Sequence, residues 1–252
     1  MSPGIPATFF ERIAEILDAD LELVTTSSGP VNGDNPFRDG TADLGWMCST
    51  SFVELSAPDS DPSVDLVGVA WVPDDPGSQG EAVYFGDVIV PAESAVQSLD
   101  DLAGTRIGCN DPVSLSGFYA LKIALEQRGI AAENWAELVF TGGHNASMDQ
   151  LVAGELDAAV VDSVARTRRS RTDAAVAKLR VVDRLGPWPT QPLVARKDLD
   201  VDTRVRVRNA ILAASQEAAL RSELDDAAMA ELVTVDDAHY EHIRDAMQPF
   251  LA

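Results

Sequence analysis

The chain is short of positive charge. Against 41 acidic side chains it sets 19 basic ones, only three of them lysine, for a formal net charge of −22 over 252 residues. A surface so acidic repels polyanions, which excludes nucleic acid and anionic membranes as partners. Cysteine is scarce as well. Cys48 and Cys109 stand in apolar, strand-like segments and read as small buried hydrophobes. A single disulfide between them stays open, but a metal site needs more ligands than they offer, and none is expected. No run approaches the roughly 18 apolar residues that span a bilayer. The opening Met1-Ser2-Pro3-Gly4-Ile5-Pro6 has neither the basic start nor the apolar stretch of a secretory signal. Nucleophile motifs, cofactor loops, internal repeats and low-complexity tracts are missing too, so no cofactor is expected.

What is present is an alternation of apolar strands and amphipathic helices. A hydrophobic content of 46% is ample for a core. Phe9–Leu17 reads as a helix with Phe10, Ile13, Ile16 and Leu17 on one face. Strands are expected at 21–25, 42–48, 64–72, 82–90, 106–109, 137–140, 156–161, 179–185 and 193–195. Helices are expected at 51–55, 118–128, after the 141–147 loop to about 154, from an Asp202 cap to about 220, and at 237–247. Ser98 and Asp101 mark a short capped turn, and Gly186-Pro187-Trp188-Pro189 a rigid turn. This pattern predicts the α/β class with a mainly parallel sheet covered on both faces. Residues 91–182 form one self-contained lobe and 1–90 plus 183–252 the other, with a cleft between lobes as the favoured small-molecule site.

The stretch Asp111-Pro112-Val113-Ser114-Leu115-Ser116-Gly117 lies between the strand Arg106–Cys109 and the helix after it. Two hydroxyls and a glycine at a helix start suit an anion, because the first backbone N–H groups have no internal partner and the helix dipole adds positive charge there. The loop Thr141-Gly142-Gly143-His144-Asn145-Ala146-Ser147 has the same character. The acidic surface does not forbid an anionic ligand, since distant charge is screened within about 10 Å. Asp162 follows four apolar residues and emerges at a strand's C-terminal end, where α/β proteins bind ligands; it serves there or caps the next helix. Arg166–Arg171 reads as a solvated helix face, His239 and His242 as surface residues. Trp188 either walls the cleft or plugs the space between lobes.

These motifs carry a family likeness. Ala42-Asp43-Leu44-Gly45-Trp46, Tyr84-Phe85-Gly86-Asp87-Val88-Ile89-Val90, Asp100-Asp101-Leu102-Ala103-Gly104, the two loops and Ala158-Ala159-Val160-Val161-Asp162-Ser163 occur together in order over about residues 40–195. The chain resembles the phosphonate/phosphite/phosphate-type substrate-binding proteins of ABC transporters, with the type II periplasmic-binding-protein fold. The resemblance implies two lobes closing on a small oxyanion, no catalysis, and an ABC permease as partner. Carried over residue by residue, it implicates Ser114, Leu115 through its backbone N–H, Ser116, Gly117, His144 and Tyr84, with Asp162 at the cleft floor. Met47 stands where many phosphonate binders carry a tyrosine, and Cys48 follows; both are carried as candidate ligand contacts.

The family starts with a strand before its first helix. Met1–Thr8, with Pro3 and Pro6, cannot supply one. The expectation is that the natural start lies upstream; the location is cytoplasmic as given and extracytoplasmic if it does. Two rival readings stand beside the binding protein. One is a cytosolic enzyme or sensor acting on a small carboxylate or phosphonate, with His144 and Asp162 as acid/base pair. The other is a ligand-free interaction module.

Overall fold

The computed structural model describes residues 6–23, 35–57 and 61–250. In chain order its helices and strands are α1 (Ala7–Leu17), β1 (Leu44–Trp46), α2 (Ser49–Ser56), β2 (Val64–Leu66), β3 (Val69–Pro73), β4 (Val83–Val90), β5 (Arg106–Cys109), α3 (Ala120–Glu126), α4 (Ala132–Trp135), β6 (Glu137–Phe140), α5 (His144–Val152), β7 (Ala158–Asp162), α6 (Ser163–Thr172), β8 (Arg180–Pro189), β9 (Leu193–Arg196), α7 (Val201–Ala214), α8 (Ala218–Asp226), β10 (Met229–Thr234) and α9 (Glu241–Met247). The chain divides into two compact units, 1–83 with 189–252 and 84–188. The passages expected at 90/91 and 182/183 would cut β4 and β8 away from the sheet they complete, and the units instead part at 83/84 and 188/189.

In the unit 1–83/189–252, β9 is the centre of a three-stranded antiparallel sheet with β1 and β2 on its flanks. β10 pairs antiparallel with β3, with a register irregularity between Met229 and Glu231. The core gathers Phe9, Phe52, Trp71 and Tyr240, each at most 1% exposed. Phe52 and Tyr240 meet edge to face at 5.2 Å, a favoured aromatic geometry. The Tyr240 hydroxyl donates to the Thr190 carbonyl at 3.2 Å, and burial raises its pKa. His239, expected on the surface, is half-buried with Nε2 3.1 Å from the Ala82 carbonyl; His242 is exposed.

The unit 84–188 is built on a five-stranded sheet in the order β6-β5-β7-β4-β8. β5 lies parallel to both β6 and β7, while β4 runs antiparallel to β7. The repeated strand–helix–strand units make the parallel part, because parallel neighbours need a crossover. All five residues of β7 are buried, as its apolar sequence requires of a central strand. Ile89, Met148, Leu151, Leu156, Ala159, Val161 and Val176 form a continuous core under α5.

Several expectations are corrected. The sheets are not mainly parallel, since the pairs of β9, of β10 with β3 and of β4 with β7 are antiparallel. The strand expected at 21–25 is absent over 21–23, where Leu21 and Leu23 are exposed; 24 and 25 lie outside the described residues. The strand expected at 42–48 shrinks to β1, because Thr41 and Ala42 close a turn onto Pro36 and Cys48 starts α2. The 64–72 run breaks at Gly68, which sits at φ +85°. Helix α1 buries Phe9 and Ile13, whereas Ile16 is 39% exposed. Residues 186–189 continue β8 rather than turning. Asp200, not Asp202, caps α7 by accepting from the Thr203 N–H at 2.9 Å, and the helix stops at Ala214 before α8 and the unanticipated β10.

Candidate ligand-binding site

β5, β6 and β7 are mutually parallel, so their C-terminal ends lie on one side of the sheet of the unit 84–188. That is where the two glycine-containing loops and the start of α6 meet. Asn110, the first residue after β5, is fully buried. Its N–H donates to the Gly117 carbonyl at 3.2 Å, and its carbonyl accepts from the Gly142 N–H at 2.9 Å. Thr141 ties the second loop to the first, its N–H and Oγ1 both bonding the Cys109 carbonyl, at 2.9 and 3.0 Å, and its Oγ1 meeting Ser147 Oγ at 2.6 Å. Burial pushes the Cys109 thiol up to about 12, so it is an inert part of the strand.

The motif Asp111–Gly117 does not open directly into an α-helix. Residues Leu115–Tyr119 form a π-turn that runs into α3. Such turns insert an extra residue and concentrate at functional sites. Ser114 is its N-cap, with Oγ accepting from the Gly117 N–H at 3.1 Å. Ser116 is 2% exposed, and its hydroxyl makes no hydrogen bond among the described residues. Gly117 cannot carry a side chain: an added Cβ would stand 2.5 Å from Asn110 Cβ and 2.9 Å from His144 Cε1. At Gly86 on β4 it would stand 2.5 Å from the Ser116 carbonyl oxygen. Side chains at Gly117 and backbone at Gly86 approach so closely that only glycine fits.

His144 is the first residue of α5, whose N-terminus has no side-chain cap, so the first N–H groups of this helix lack an intrahelical partner. The ring Nδ1 accepts from the Asp162 main-chain N–H at 3.2 Å, and Nε2 lies 3.4 Å from the Asn110 side-chain amide. Burial lowers the His144 pKa below its ordinary 6.5, against the Asp162 and Asp111 carboxylates, which raise it. The ring is therefore neutral at pH 7. Asp162 Oδ1 accepts from the Val164 and Ala165 N–H groups at 2.8 and 3.0 Å and so caps α6.

Asn110, His144, Ser114, Ser116, Gly117 and Asp162 thus come together in one unit. Leu115 is fully buried in the π-turn, Tyr84 is 1% exposed on β4, and Trp188 is 4% exposed on β8. Met47 and Cys48 belong to the other unit, after β1 and at the N-cap of α2, with Cys48 Sγ 3.2 Å from Thr50 Oγ1. Sequence reasoning missed Asn110; its one signal was a polar residue standing directly after an apolar strand. It also misread Arg166 as part of a solvated face. Asp87, fully buried on β4, receives Arg166 Nε at 2.6 Å and Arg184 Nε at 2.7 Å. Among the described residues no group of His, Cys, Asp and Glu is placed to hold a metal, and no helix is long and apolar enough to cross a membrane.

An α/β fold that gathers hydroxyls, a glycine turn and an uncapped helix start at its strand ends has the build of a solute-binding protein. Comparison with known proteins gives the family. Residues 7–240 match the model of the phosphonate periplasmic substrate-binding proteins of ABC transporters, and the chain belongs to that family. Among solved structures, it is similar to PhnD1 of Prochlorococcus marinus in complex with methylphosphonate (TM-score 0.80, 16% identity, 96% of this chain and 91% of that one). A binding-protein component of a phosphonate transporter from Pseudomonas aeruginosa is also similar (0.76, 17%, 95% and 80%). So is a Xanthomonas citri protein bound to ATP (0.74, 15%, 98% and 92%). The chain is therefore a transport-type substrate-binding protein, which implies a small ligand and a permease partner. The enzyme reading of His144 and Asp162 gives way to that family assignment, and Asp162 already spends its Oδ1 on the α6 cap.

Proposed function

We propose that this chain captures a small oxyanion, a phosphonate or phosphate-like compound, through a head-group site made by Ser114, Ser116, the Leu115–Gly117 backbone, His144 and the first turn of α5. The observation that carries the reading is Ser116, a residue 2% exposed whose hydroxyl is committed to no described residue. Its proton is left to donate to an accepting oxyanion. The Ser114 hydroxyl accepts from Gly117 and keeps its own proton to donate. Hydrogen bonds from these donors to an anion are charge-assisted and so stronger than neutral pairs. Tyr84, Asp162, Met47 and Cys48 are proposed as further ligand contacts, on the family likeness.

The test is titration calorimetry with methylphosphonate, phosphite, inorganic phosphate and a sulfonate of similar size. The expected outcome is one-to-one binding of a phosphorus oxyanion, weakened about tenfold or more by Ser116→Ala and by His144→Ala. Unchanged affinity in both variants overturns the site.

A further inference from the structure

Both ring nitrogens of His144 face hydrogen-bond partners. Nδ1 receives the main-chain N–H of Asp162, and Nε2 stands 3.4 Å from the Asn110 side-chain amide. A main-chain N–H can only donate, so Nδ1 is the acceptor nitrogen. A neutral imidazole has one acceptor and one donor, so its proton sits on Nε2. An Nε2–H cannot receive a bond from an amide NH2. Amide nitrogen and oxygen occupy nearly the same shape, and the hydrogen-bond network decides between them. The fixed Asp162 N–H therefore turns the oxygen of Asn110 toward the ring.

Asn110 is placed to hold this arrangement firmly. It is fully buried, and its backbone bonds both Gly117 and Gly142, so the side chain projects from a point pinned to both loops. Its Cβ leaves no room for one on Gly117, which also abuts the His144 ring.

We propose that Asn110 is a positioning residue of the binding site: its amide oxygen accepts from the His144 Nε2–H that the Asp162 N–H imposes, and holds the ring in place in the unliganded protein. This rests on the oxyanion reading above for its consequence. When an anion oxygen accepts a hydrogen bond from Nε2–H, it replaces the Asn110 oxygen as the acceptor of that bond. Asn110 thus occupies the place of the ligand's acceptor until the ligand arrives. No proton leaves the ring in the exchange.

The experiment is nitrogen-15 NMR of the His144 ring in the full chain, with and without methylphosphonate, for wild type, Asn110→Ala and Asn110→Asp. In wild type the ring reports protonation on Nε2 alone, and methylphosphonate shifts that nitrogen rather than Nδ1. Asn110→Asp keeps the acceptor and the shape but adds a charge to the carboxylates of Asp162 and Asp111 already acting on the ring. It raises the ring's pKa by about one unit or more and weakens methylphosphonate further than Asn110→Ala does. Asn110→Ala weakens it about tenfold. A ring protonated on Nδ1, or a pKa unmoved in Asn110→Asp, overturns the proposal. If Asn110→Ala does not fold, the isosteric Asp variant carries the test. A wild-type protein with the Nε2–H ring but no affinity for methylphosphonate or phosphate would overturn the proposed function and leave the positioning role standing.

Discussion

Ser114 and Ser116 lie two positions apart, yet they do different work. Ser114 caps the π-turn, so Ser114→Ala is expected to cost about 1 kcal/mol in urea denaturation as well as affinity. Ser116 holds no described partner, so Ser116→Ala is expected to lose affinity while the urea midpoint stays nearly fixed. Gly117→Ala drives a methyl into Asn110 and the His144 ring. Overpacking of that kind costs about 1–3 kcal/mol, and calorimetry should show methylphosphonate binding lost with it; a variant of wild-type stability and affinity would contradict the close packing described. Ser114, Ser116 and His144 stand out in the sequence as candidates because hydroxyls and glycines before a helix carry their own local signal. Asn110 does not, since its meaning comes from Gly117, Gly142 and His144, the last 34 positions away.

β5 and β6 were legible to the residue, because short apolar runs between turn signals leave little freedom in their ends. β10 was not, as Met229–Thr234 alternates only weakly and is made a strand by its partner β3. Helix α7 was drawn too long because nothing local in Ser215-Gln216-Glu217 forbids a helix. The ion cluster joining β4, α6 and β8 was equally hidden, since its charges come from three separate elements. Asp87 has no exposure, and Arg166 and Arg184 bond its two oxygens from either side, with the Arg184 guanidinium also 4.4 Å from the Phe85 ring centroid. Replacing both arginines by methionine leaves a buried carboxylate without either counter-charge. The expected loss is about 3–5 kcal/mol, read from chemical denaturation, and Asp87→Asn in that background should recover much of it. An unchanged midpoint in the double variant would show that the cluster is not tightly buried.

At the scale of the whole molecule, charge governs behaviour. A net −22 repels an anionic ligand at long range, and salt shortens that reach. Association of methylphosphonate is therefore expected to quicken as ionic strength rises from about 0.01 to 0.1 M, measured by stopped flow. Stability should fall in two stages on acidification. The folded His144 ring has a lowered pKa, so its contribution is complete above the ordinary value of 6.5 and is lost as pH falls below it, when the unfolded ring takes up a proton first. Asp101, Asp173 and Asp200, held low by hydrogen bonds, keep their contribution above their ordinary 3.8 and lose it as pH falls through their depressed values. Glu54, raised by burial, acts in the opposite sense near its ordinary 4.5. Urea midpoints from pH 8 to 4 should show the first stage in wild type and not in His144→Gln. The two-unit α/β organisation and the family were legible from the order of the motifs; the antiparallel pairs were not, because strand direction depends on which distant strand becomes a neighbour. The central claim is tested most directly by calorimetric titration of wild type and Ser116→Ala with methylphosphonate. The account predicts saturable one-to-one binding in wild type and at least about tenfold weaker binding in the variant at equal thermal stability; equal affinity in the two proteins would contradict it.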